Sequence, residues 1–268
     1  MRRTPREVFF KLKQNFDLSK EQQAVLIGTV LGDGNLRFRG NECRLHIKHS
    51  FNQMRLCEYK RRVFAPITSM PVRVFKQKVA NHDYWFSEFV TLTHPVFTKY
   101  YKMFYPTGKK IIPTGIAEIL VDPISLAVWI MDDGAAEYAG LSIQTHCFTS
   151  NEVDRLVGVI KDNFEIECLS RSNRGKRVIY FPKTSINRLK NLLDNYVIEE
   201  MKYKFVPYDQ RKPRRDCTPE SHLGGTMIQS DPTGNSRSLV EITKPFDILS
   251  KSNNNVETPV VLAVNDEH

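Results

Sequence analysis

The sequence predicts an α+β fold built from two similar halves, each with the element order αββαββα. Two strongly apolar helices are expected at about 19–33 and 123–133, and each ends at an Asp-Gly pair. Short runs of alternating apolar and polar residues follow each helix, as in strands with one buried face. Each half then ends with a similar lysine-containing motif, the closing motif, which is KKIIP at 109–113 and KYKFVP at 202–207. These features, repeated in the same order, indicate an internal duplication.

The halves are expected at 1–115 and 116–208, followed by residues 209–268 as a flexible C-terminal tail. The tail is rich in Ser, Asn, Thr and Pro and has no sustained period. It contains 7 Lys/Arg and 9 Asp/Glu, a balance of −2, so the net charge of +9 leaves +11 on the first 208 residues. A basic folded body suggests a polyanionic partner, most simply nucleic acid.

Both central helices have clear start signals. An S-x-x-Q capping box lies at 19–22, and Asp122-Pro123 offers an N-cap followed by proline at the first helical position. Both helices are apolar on nearly every side, so we expect neighbours to bury them all round. Further helices are expected at 52–64, at 149–163 after a T-x-x-E box, and at 184–196.

Strands are expected between these helices. In the first half they are NLRFR, ECRLHIKH, VRVFKQKV and YWFSEFVTL, and in the second half LSIQTHCF, EIECLSR and RVIYF. The sequence SNRG at 172–175 is expected to join the last two strands as a hairpin.

The stretch LIGTVLGDGNL at 26–36 contains three glycines that do not fit a phosphate-binding loop. A dinucleotide fingerprint reads G-x-G-x-x-G and opens a helix, and a P-loop requires G-K-[ST], whereas here G-x-x-x-G-x-G closes a helix. Gly28 and Gly32 share one helix face, which lets the second central helix approach closely. Gly34 and Gly134 are expected to end the two helices.

If the helices cross at this face, Asp33 and Asp133 lie side by side at two helix C-termini. A carboxylate there faces the negative end of the helix dipole, and two neighbouring carboxylates repel each other. A cation would relieve both costs, and carboxylate oxygens favour Mg²⁺. The alternative, in which each Asp merely caps the following turn, does not account for the duplication.

The motif sequences LIGTVLGDG at 26–34 and LAVWIMDDG at 126–134 resemble the two copies of the LAGLIDADG motif of homing endonucleases. The resemblance covers about residues 15–208 and is closest to single-chain, two-motif members encoded within group I introns. It implies a pseudo-twofold monomer with paired motif helices at the centre and antiparallel sheets that form a DNA-binding saddle. One departure is that Gly28 and Gly32 have Val128 and Asp132 as counterparts, so Asp132 is either a second acid near the site or a solvated one.

The resemblance also implies an active site. The implied metal ligands are the carboxylates of Asp33 and Asp133 and the carbonyl oxygens of Gly32 and Asp132. Lys110 and Lys204, in the two closing motifs, would be catalytic and would stabilise charge or organise water. The implied reaction is Mg²⁺-dependent hydrolysis of phosphodiester bonds in both strands of a specific DNA site.

Strand alternation supports the saddle independently, because donors share one face of several strands while apolar residues share the other. A row of donors suits base edges and phosphates in the major groove. The residues expected to contact DNA are Arg37, Arg39, Arg44, His46, Lys48, Lys76, Lys78, Ser142, Gln144, His146, Arg171, Arg174, Lys176 and Arg177.

Two other functions compete with the nuclease. An RNA maturase that helps its host intron fold could use the same scaffold, but splicing assistance does not require paired metal ligands. A transcription regulator would be expected to lose one acid and to gain a helix-turn-helix, and the sequence shows neither. Because no apolar run approaches the roughly 18 residues of a membrane span, we expect no membrane partner. The expected location is the compartment that holds the host genome: a mitochondrion, a plastid or the bacterial cytoplasm.

Overall fold

A computed structural model of the 268-residue chain describes residues 16–206 and Gln210. The chain divides into two compact units, 1–224 and 225–268, and every described residue belongs to the first. The flexible tail expected at 209–268 therefore lies, apart from Gln210, outside the described residues.

The first half has the expected order of elements. Its helices and strands are α1 (Lys20–Leu31), β1 (Asn35–Arg39), β2 (Glu42–Ser50), α2 (Met54–Val63), β3 (Arg73–Val79), β4 (His82–Val90) and α3 (Pro95–Phe104). Short 3₁₀ turns at Phe51–Gln53 and Ala65–Ile67 flank α2. A one-turn helix, α4 (Ile116–Ile119), leads into the second half.

The second half repeats this order. Its elements are α5 (Pro123–Asp133), β5 (Gly134–Glu137), β6 (Gly140–Gln144), α6 (Ser150–Phe164), β7 (Leu169–Asn173), β8 (Lys176–Pro182) and α7 (Lys183–Leu193). A 3₁₀ segment at Glu199–Phe205 contains the lysines of the closing motif. The α+β fold with two αββαββα halves is confirmed.

Each half forms one antiparallel four-stranded sheet, and the two sheets have equivalent strand orders, β1-β2-β4-β3 and β5-β6-β8-β7. The loop between β7 and β8 is Arg174-Gly175, with positive φ at both residues, as a type I′ turn requires. The hairpin expected at 172–175 is therefore confirmed. Ala80-Asn81 joins β3 to β4 with the same signs of φ.

The helix starts also follow the sequence signals. Ser19 and Gln22 form the expected reciprocal capping box, and Thr149 and Glu152 form another at the start of α6. Asp122 accepts a hydrogen bond of 2.9 Å from the N–H of Ile124. Every residue of α5 from Ser125 to Asp132 is buried, as expected for a central helix.

Several features differ from the sequence expectations. Helix α3 and strand β5 belong to the expected order but had been assigned no residues, the strand predicted as LSIQTHCF ends early, at Gln144, and the strand predicted as EIECLSR begins only at Leu169. Strand β5 has only four residues, GAAE, and therefore lacks a recognisable alternation. Within the described part of the chain, no helix combines the length and the apolar character needed to cross a bilayer.

Candidate active site

The two central helices, α1 and α5, pack against each other on the face that carries Gly28. A Cβ built on Gly28 would lie 2.3 Å from the Ser125 carbonyl oxygen and 2.8 Å from the Val128 Cβ. Only a residue without a side chain permits so close an approach. The expected glycine face is confirmed, and Val128, the bulkier counterpart of Gly28, packs directly against it.

Gly32 and its counterpart Asp132 also lie against each other. A Cβ on Gly32 would lie 2.5 Å from Oδ2 of Asp132 and 2.6 Å from the Asp132 Cβ. The Asp132 side chain is fully buried, and Oδ2 accepts a hydrogen bond of 3.2 Å from the Asp33 N–H. Of the two expectations for Asp132, the solvated acid is therefore wrong, and a buried acid beside Asp33 is what the structure contains.

Gly34 and Gly134 follow the two helix ends for a reason that the sequence did not reveal. Neither has the positive φ of the usual C-terminal glycine. Instead, a Cβ on Gly34 would lie 2.3 Å from the Thr29 Cγ2, and a Cβ on Gly134 would lie 2.4 Å from the Ile130 carbonyl oxygen. Both glycines are needed because the chain leaves each helix in close contact with the preceding turn.

Asp33 lies two residues after the end of α1, Asp133 is the last residue of α5, and the two carboxylates have different electrostatic environments. Burial, followed by the negative charges of Asp33 and Asp132, raises the pKa of Asp133 to about 7. For Asp33, burial acts to raise the pKa, but contact with His49 and the positive charges of Lys60 and Lys204 lower it overall. The pKa of Asp133 is thus raised first by burial and then by carboxylate repulsion that Lys110 and Lys204 do not fully neutralise, and a divalent cation would relieve both.

The two closing lysines reach the helix ends symmetrically. Nζ of Lys110 donates to the carbonyl oxygens of Gly32 and Gly34 at 3.0 and 3.2 Å. Nζ of Lys204 donates to the carbonyl oxygen of Asp132 at 3.0 Å. Each half thus places its own lysine on the end of its own central helix. A carbonyl oxygen has two lone pairs, so the oxygens of Gly32 and Asp132 can each accept a further contact.

Lys60 and His49 complete the site, and the sequence analysis missed both. Lys60 is fully buried on α2, and its Nζ lies 2.6 and 2.7 Å from the two carboxylate oxygens of Asp132. His49 is buried at the end of β2, with Nε2 3.4 Å from the Lys60 Nζ and Nδ1 3.5 Å from Oδ2 of Asp33. A signal was present, because both residues occupy core-facing positions of their elements, where a polar group requires a partner.

Asp33, His49 and Asp132 offer ligand atoms within 4.8 Å of one another, a spacing that could hold a metal ion. However, Lys60 already contacts both oxygens of Asp132, and a metal at this point would lie against a buried ammonium group. We therefore regard Lys60–Asp132 as a buried ion pair. The half-exposed carboxylate of Asp33 and the partly buried carboxylate of Asp133 are the acids that remain open to a cation.

On the first sheet, Arg37 and Arg44 face each other across the β1–β2 ladder, and Arg39 lies two residues along. Burial, and then the positive charges of Arg39 and Arg37, lower the pKa of Arg44. The Nε of Arg44 is buried and has no hydrogen-bond partner. This crowding of three guanidinium groups is the situation that a phosphate group would relieve.

His46 and Lys48 share the face of Arg44, as predicted from the alternation of β2. They contact acceptors from the neighbouring strands: His46 lies 3.2 Å from Glu88, and Lys48 donates to Gln77 at 2.5 Å. Arg73 on β3 also binds Glu88, at 2.5 Å. Arg73 and Gln77 therefore belong to this face, and the sequence analysis did not select them.

Lys76 and Lys78 lie on the opposite face of the same sheet. They pair with Trp85 and Asp83 in the β3–β4 register, whereas Gln77, which contacts Lys48, is on the alternate parity. Lys76 forms an exposed ion pair of 3.0 Å with Asp83. The structure thus does not bring these two lysines together with Arg44, His46 and Lys48.

The predicted DNA-contacting residues of the second half also do not all lie on one face of their sheet. Ser142, Gln144, Arg171 and Lys176 share one face, as the pairings of β6, β7 and β8 require. Ser142 is only 1% exposed and accepts a hydrogen bond of 3.2 Å from Gln144. Arg171 binds Glu137 on the same face.

Three candidates of the second half lie elsewhere. Arg177 has the opposite parity and contacts the carbonyl oxygen of Ser170 at 3.5 Å. Arg174 is in the β7–β8 turn, and His146 lies beyond the end of β6 in an exposed loop.

The chain was compared with known proteins. The model of the LAGLIDADG DNA endonuclease family matches residues 23–189, which include most of α1, all of α5 and both sheets. The chain belongs to the LAGLIDADG DNA endonuclease family. A solved structure titled the homing endonuclease I-WcaI bound to its DNA recognition sequence is 27% identical, with a TM-score of 0.70, and the match covers 77% of this chain and 95% of that chain.

Curated relatives of this LAGLIDADG chain include proteins named as endonucleases and proteins named as maturases. Probable intron-encoded endonuclease 1 of Wickerhamomyces canadensis is 29% identical over 206 residues, which cover 72% of this chain and 87% of that protein. Cytochrome b mRNA maturase bI2 of Debaryomyces hansenii is 27% identical over 202 residues, which cover 72% and 77% respectively. The family and these relatives confirm the function predicted from the sequence, a site-specific DNA endonuclease, and are also consistent with the maturase alternative.

Proposed function

We propose that this chain is a homing endonuclease that cuts both strands of a specific DNA duplex with the help of Mg²⁺. The observation that carries the proposal is that Asp33 and Asp133 lie at the ends of two packed, buried helices and interact electrostatically, each helix end being bound by a lysine through a carbonyl oxygen. Two acids at pseudo-equivalent positions suit two DNA strands, with one acid serving each strand.

The donor set fits a hard divalent cation. Asp33 and Asp133 would hold Mg²⁺ through carboxylate oxygens, together with the free lone pairs of the Gly32 and Asp132 carbonyl oxygens. Once bound, Mg²⁺ would supply Lewis-acid stabilisation of charge on the phosphodiester oxygens. The raised pKa of Asp133 supports this assignment, because burial and then the charges of the neighbouring carboxylates destabilise its ionised form, which a bound cation would stabilise.

The lysines would act around these ligands. Lys110 and Lys204 fix the carbonyl groups at the helix ends through hydrogen bonds of 3.0 Å. They would also hold two ammonium charges beside the acids, where negative charge develops on a phosphodiester during hydrolysis.

The substrate would lie across the two sheets as duplex DNA. Arg37, Arg39 and Arg44 form a cluster of positive charge on the exposed face of the first sheet, and this supports a phosphate contact there. A single chain with two motif helices would act as a monomer. It would work in the compartment that holds the host genome, since several relatives are named as intron-encoded proteins.

The test uses duplex DNA that spans the intron-less junction of the host gene, with Mg²⁺, and compares the wild type with Asp33→Asn and Asp133→Asn. We expect the wild type to make a double-strand break and each variant to lose it. Double-strand cutting that persists in either variant would refute the paired-acid mechanism.

A second candidate function is RNA maturation, which the maturase names of two relatives favour. A wild-type protein that binds its intron RNA tightly and promotes splicing, but never cuts the DNA junction, would establish this function instead. Both activities in one chain would agree with the paired acids and with the relatives.

A further inference from the structure

The Nδ1 atom of His49 is the most unusual polar group beside the site. The His49 side chain is fully buried, and Nδ1 has no hydrogen-bond partner. The carboxylate oxygen Oδ2 of Asp33 lies 3.5 Å from it, at the outer limit of a hydrogen bond. A buried N–H without a partner is costly, so a short movement of the half-exposed Asp33 carboxylate towards His49 would be favourable.

The other side of the ring is fixed by Lys60. An ammonium group has three donors, and Lys60 directs two at Asp132, at 2.6 and 2.7 Å, and the third at Nε2 of His49, at 3.4 Å. Oδ1 of Asp132 lies 3.8 Å from Nε2, beyond hydrogen-bond distance, so the Lys60 ammonium group is the nearer partner and Nε2 accepts from it. In the neutral imidazole the ring proton is then on Nδ1, the atom that faces Asp33. The buried Lys60–Asp132 pair thus selects the tautomer that can donate to Asp33.

Among the described residues, the second half has no equivalent arrangement. Asp33 precedes Asn35, which pairs with His46, and Asp133 precedes Ala135, which pairs with Ser142. By the same count along the strand, the counterpart of His49 is Thr145. Thr145 is fully buried, and its hydroxyl group donates to the Arg177 carbonyl oxygen at 2.6 Å rather than to a carboxylate.

We propose that His49 is a positioning residue that orients the Asp33 carboxylate through its Nδ1–H, and that Asp133 has no such partner. The proposal rests on the proposed nuclease function. Its consequence is that the two strand cuts depend unequally on His49. Apo hydrogen bonds at active sites are often long and shorten when substrate binds, in agreement with the 3.5 Å separation.

Two substitutions separate orientation from packing. The amide nitrogen of Asn occupies about the place of Nδ1, so His49→Asn keeps the donor towards Asp33. The longer His49→Gln places its amide at about the position of Nε2 and loses that donor. Thr145→Ala is the matched control, because it removes the equivalent polar group from the other half.

The measurement is strand-resolved cleavage of a duplex labelled differently on its two strands, with Mg²⁺ and with thermal unfolding recorded for each variant. We expect His49→Gln to slow one strand by about 10–100-fold more than the other, as loss of a ligand's hydrogen-bond partner typically does. His49→Asn should stay close to the wild type on both strands, and Thr145→Ala should not reproduce the strand bias.

Equal slowing of both strands by His49→Gln, at unchanged thermal stability, would overturn the proposal, because it would indicate a general packing role. If the variants fail to fold, the imidazole ¹⁵N shifts of the wild type decide: a proton on Nδ1 supports the proposal, and a proton on Nε2 overturns it. If the wild type cuts neither strand, the proposed nuclease function fails, and the tautomer still tests the contact with Asp33.

Discussion

The Asp132 side chain lies where a side chain on Gly32 would have to be, although the two residues hold matching positions in the two halves. A Cβ on Gly32 would come within 2.6 Å of the Asp132 Cβ. The duplicated helices therefore differ at the point where they meet: one gives up its side chain, and the other uses the space to bury a carboxylate against Lys60.

Gly32→Ala should destabilise the protein by about 1–3 kcal/mol, because it overpacks a buried helix contact. The measurement is the urea midpoint of unfolding. The control is Gly158→Ala in α6, where a Cβ would meet nothing within 4 Å. That change should be neutral or stabilise by about 0.4–1 kcal/mol. Equal stability of the two variants would show that the helices do not approach as closely as described.

Lys60→Met should cost about 3–5 kcal/mol, because it leaves the Asp132 carboxylate buried and unpaired. The double variant Lys60→Met with Asp132→Ala should recover a large part of that loss, since neither charge is then stranded. Chemical unfolding of both single variants and the double variant measures the coupling. Lys202→Met, which breaks an exposed ion pair of 2.9 Å with Glu199, is the control and should change stability little. If the effects of Lys60→Met and Asp132→Ala simply added in the double variant, Lys60 and Asp132 would not form a buried ion pair.

Much of the fold could be predicted from local signals. Capping boxes at Ser19 and Thr149 and the N-cap at Asp122 mark helix starts that depend only on neighbouring residues, and the structure contains all three. The duplicated Asp-Gly pairs also predicted that Asp33 and Asp133 lie at neighbouring helix ends. These features could be found because each is encoded within a few residues.

The parts that were missed depend on distant contacts. Lys60 and Asp132 are 72 positions apart, and no local sequence pattern predicts that they form a pair. Lys76 and Lys78 were grouped with the DNA face by charge alone, although Val74 fixes their parity on the other face. Gly34 was expected only to end the helix, whereas its close contact with Thr29 could not be predicted from neighbouring residues.

Ionisation of Asp133 should lower the free energy of unfolding of the metal-free protein as the pH rises from about 4 to about 7. Its pKa is about 7 when folded, against about 4 in an unfolded chain. In that interval the folded state holds a proton that the unfolded chain has released, so the free energy of unfolding decreases with pH. Asp133→Asn should remove this component from the melting profile recorded in a chelator.

Divalent cations should reverse that trend. Binding requires the ionised carboxylate, so Ca²⁺, used as a non-hydrolysing probe, should raise the melting temperature more at about pH 8 than at about pH 6. Asp133→Asn should abolish most of the increase at the higher pH. A cation effect that is independent of pH, or that survives in this variant, would exclude Asp133 as a ligand.

Lys110→Met and Lys204→Met should each slow cleavage strongly, by about 10²-fold or more, if they stabilise developing charge. Their hydrogen bonds to helix-end carbonyl oxygens predict little change in DNA affinity. Single-turnover rates at saturating protein separate the two effects. Lys109→Met, one residue away and exposed, is the control and should cleave like the wild type. Loss of affinity rather than rate would assign these lysines to binding alone.

Arg44→Ala should weaken binding of the DNA site and reduce the slope of log affinity against log salt by about 1, as expected when one phosphate contact is lost. Arg44 faces Arg37 on the exposed side of the first sheet, and its Nε has no partner within the described protein. Lys76→Ala removes an equal charge from the opposite face of the same sheet, so it should leave the salt slope unchanged. Titrations at several salt concentrations with catalytically inert Ca²⁺ test both variants. A reduced slope for Lys76→Ala and an unchanged slope for Arg44→Ala would mean that DNA binds the other face of the sheet.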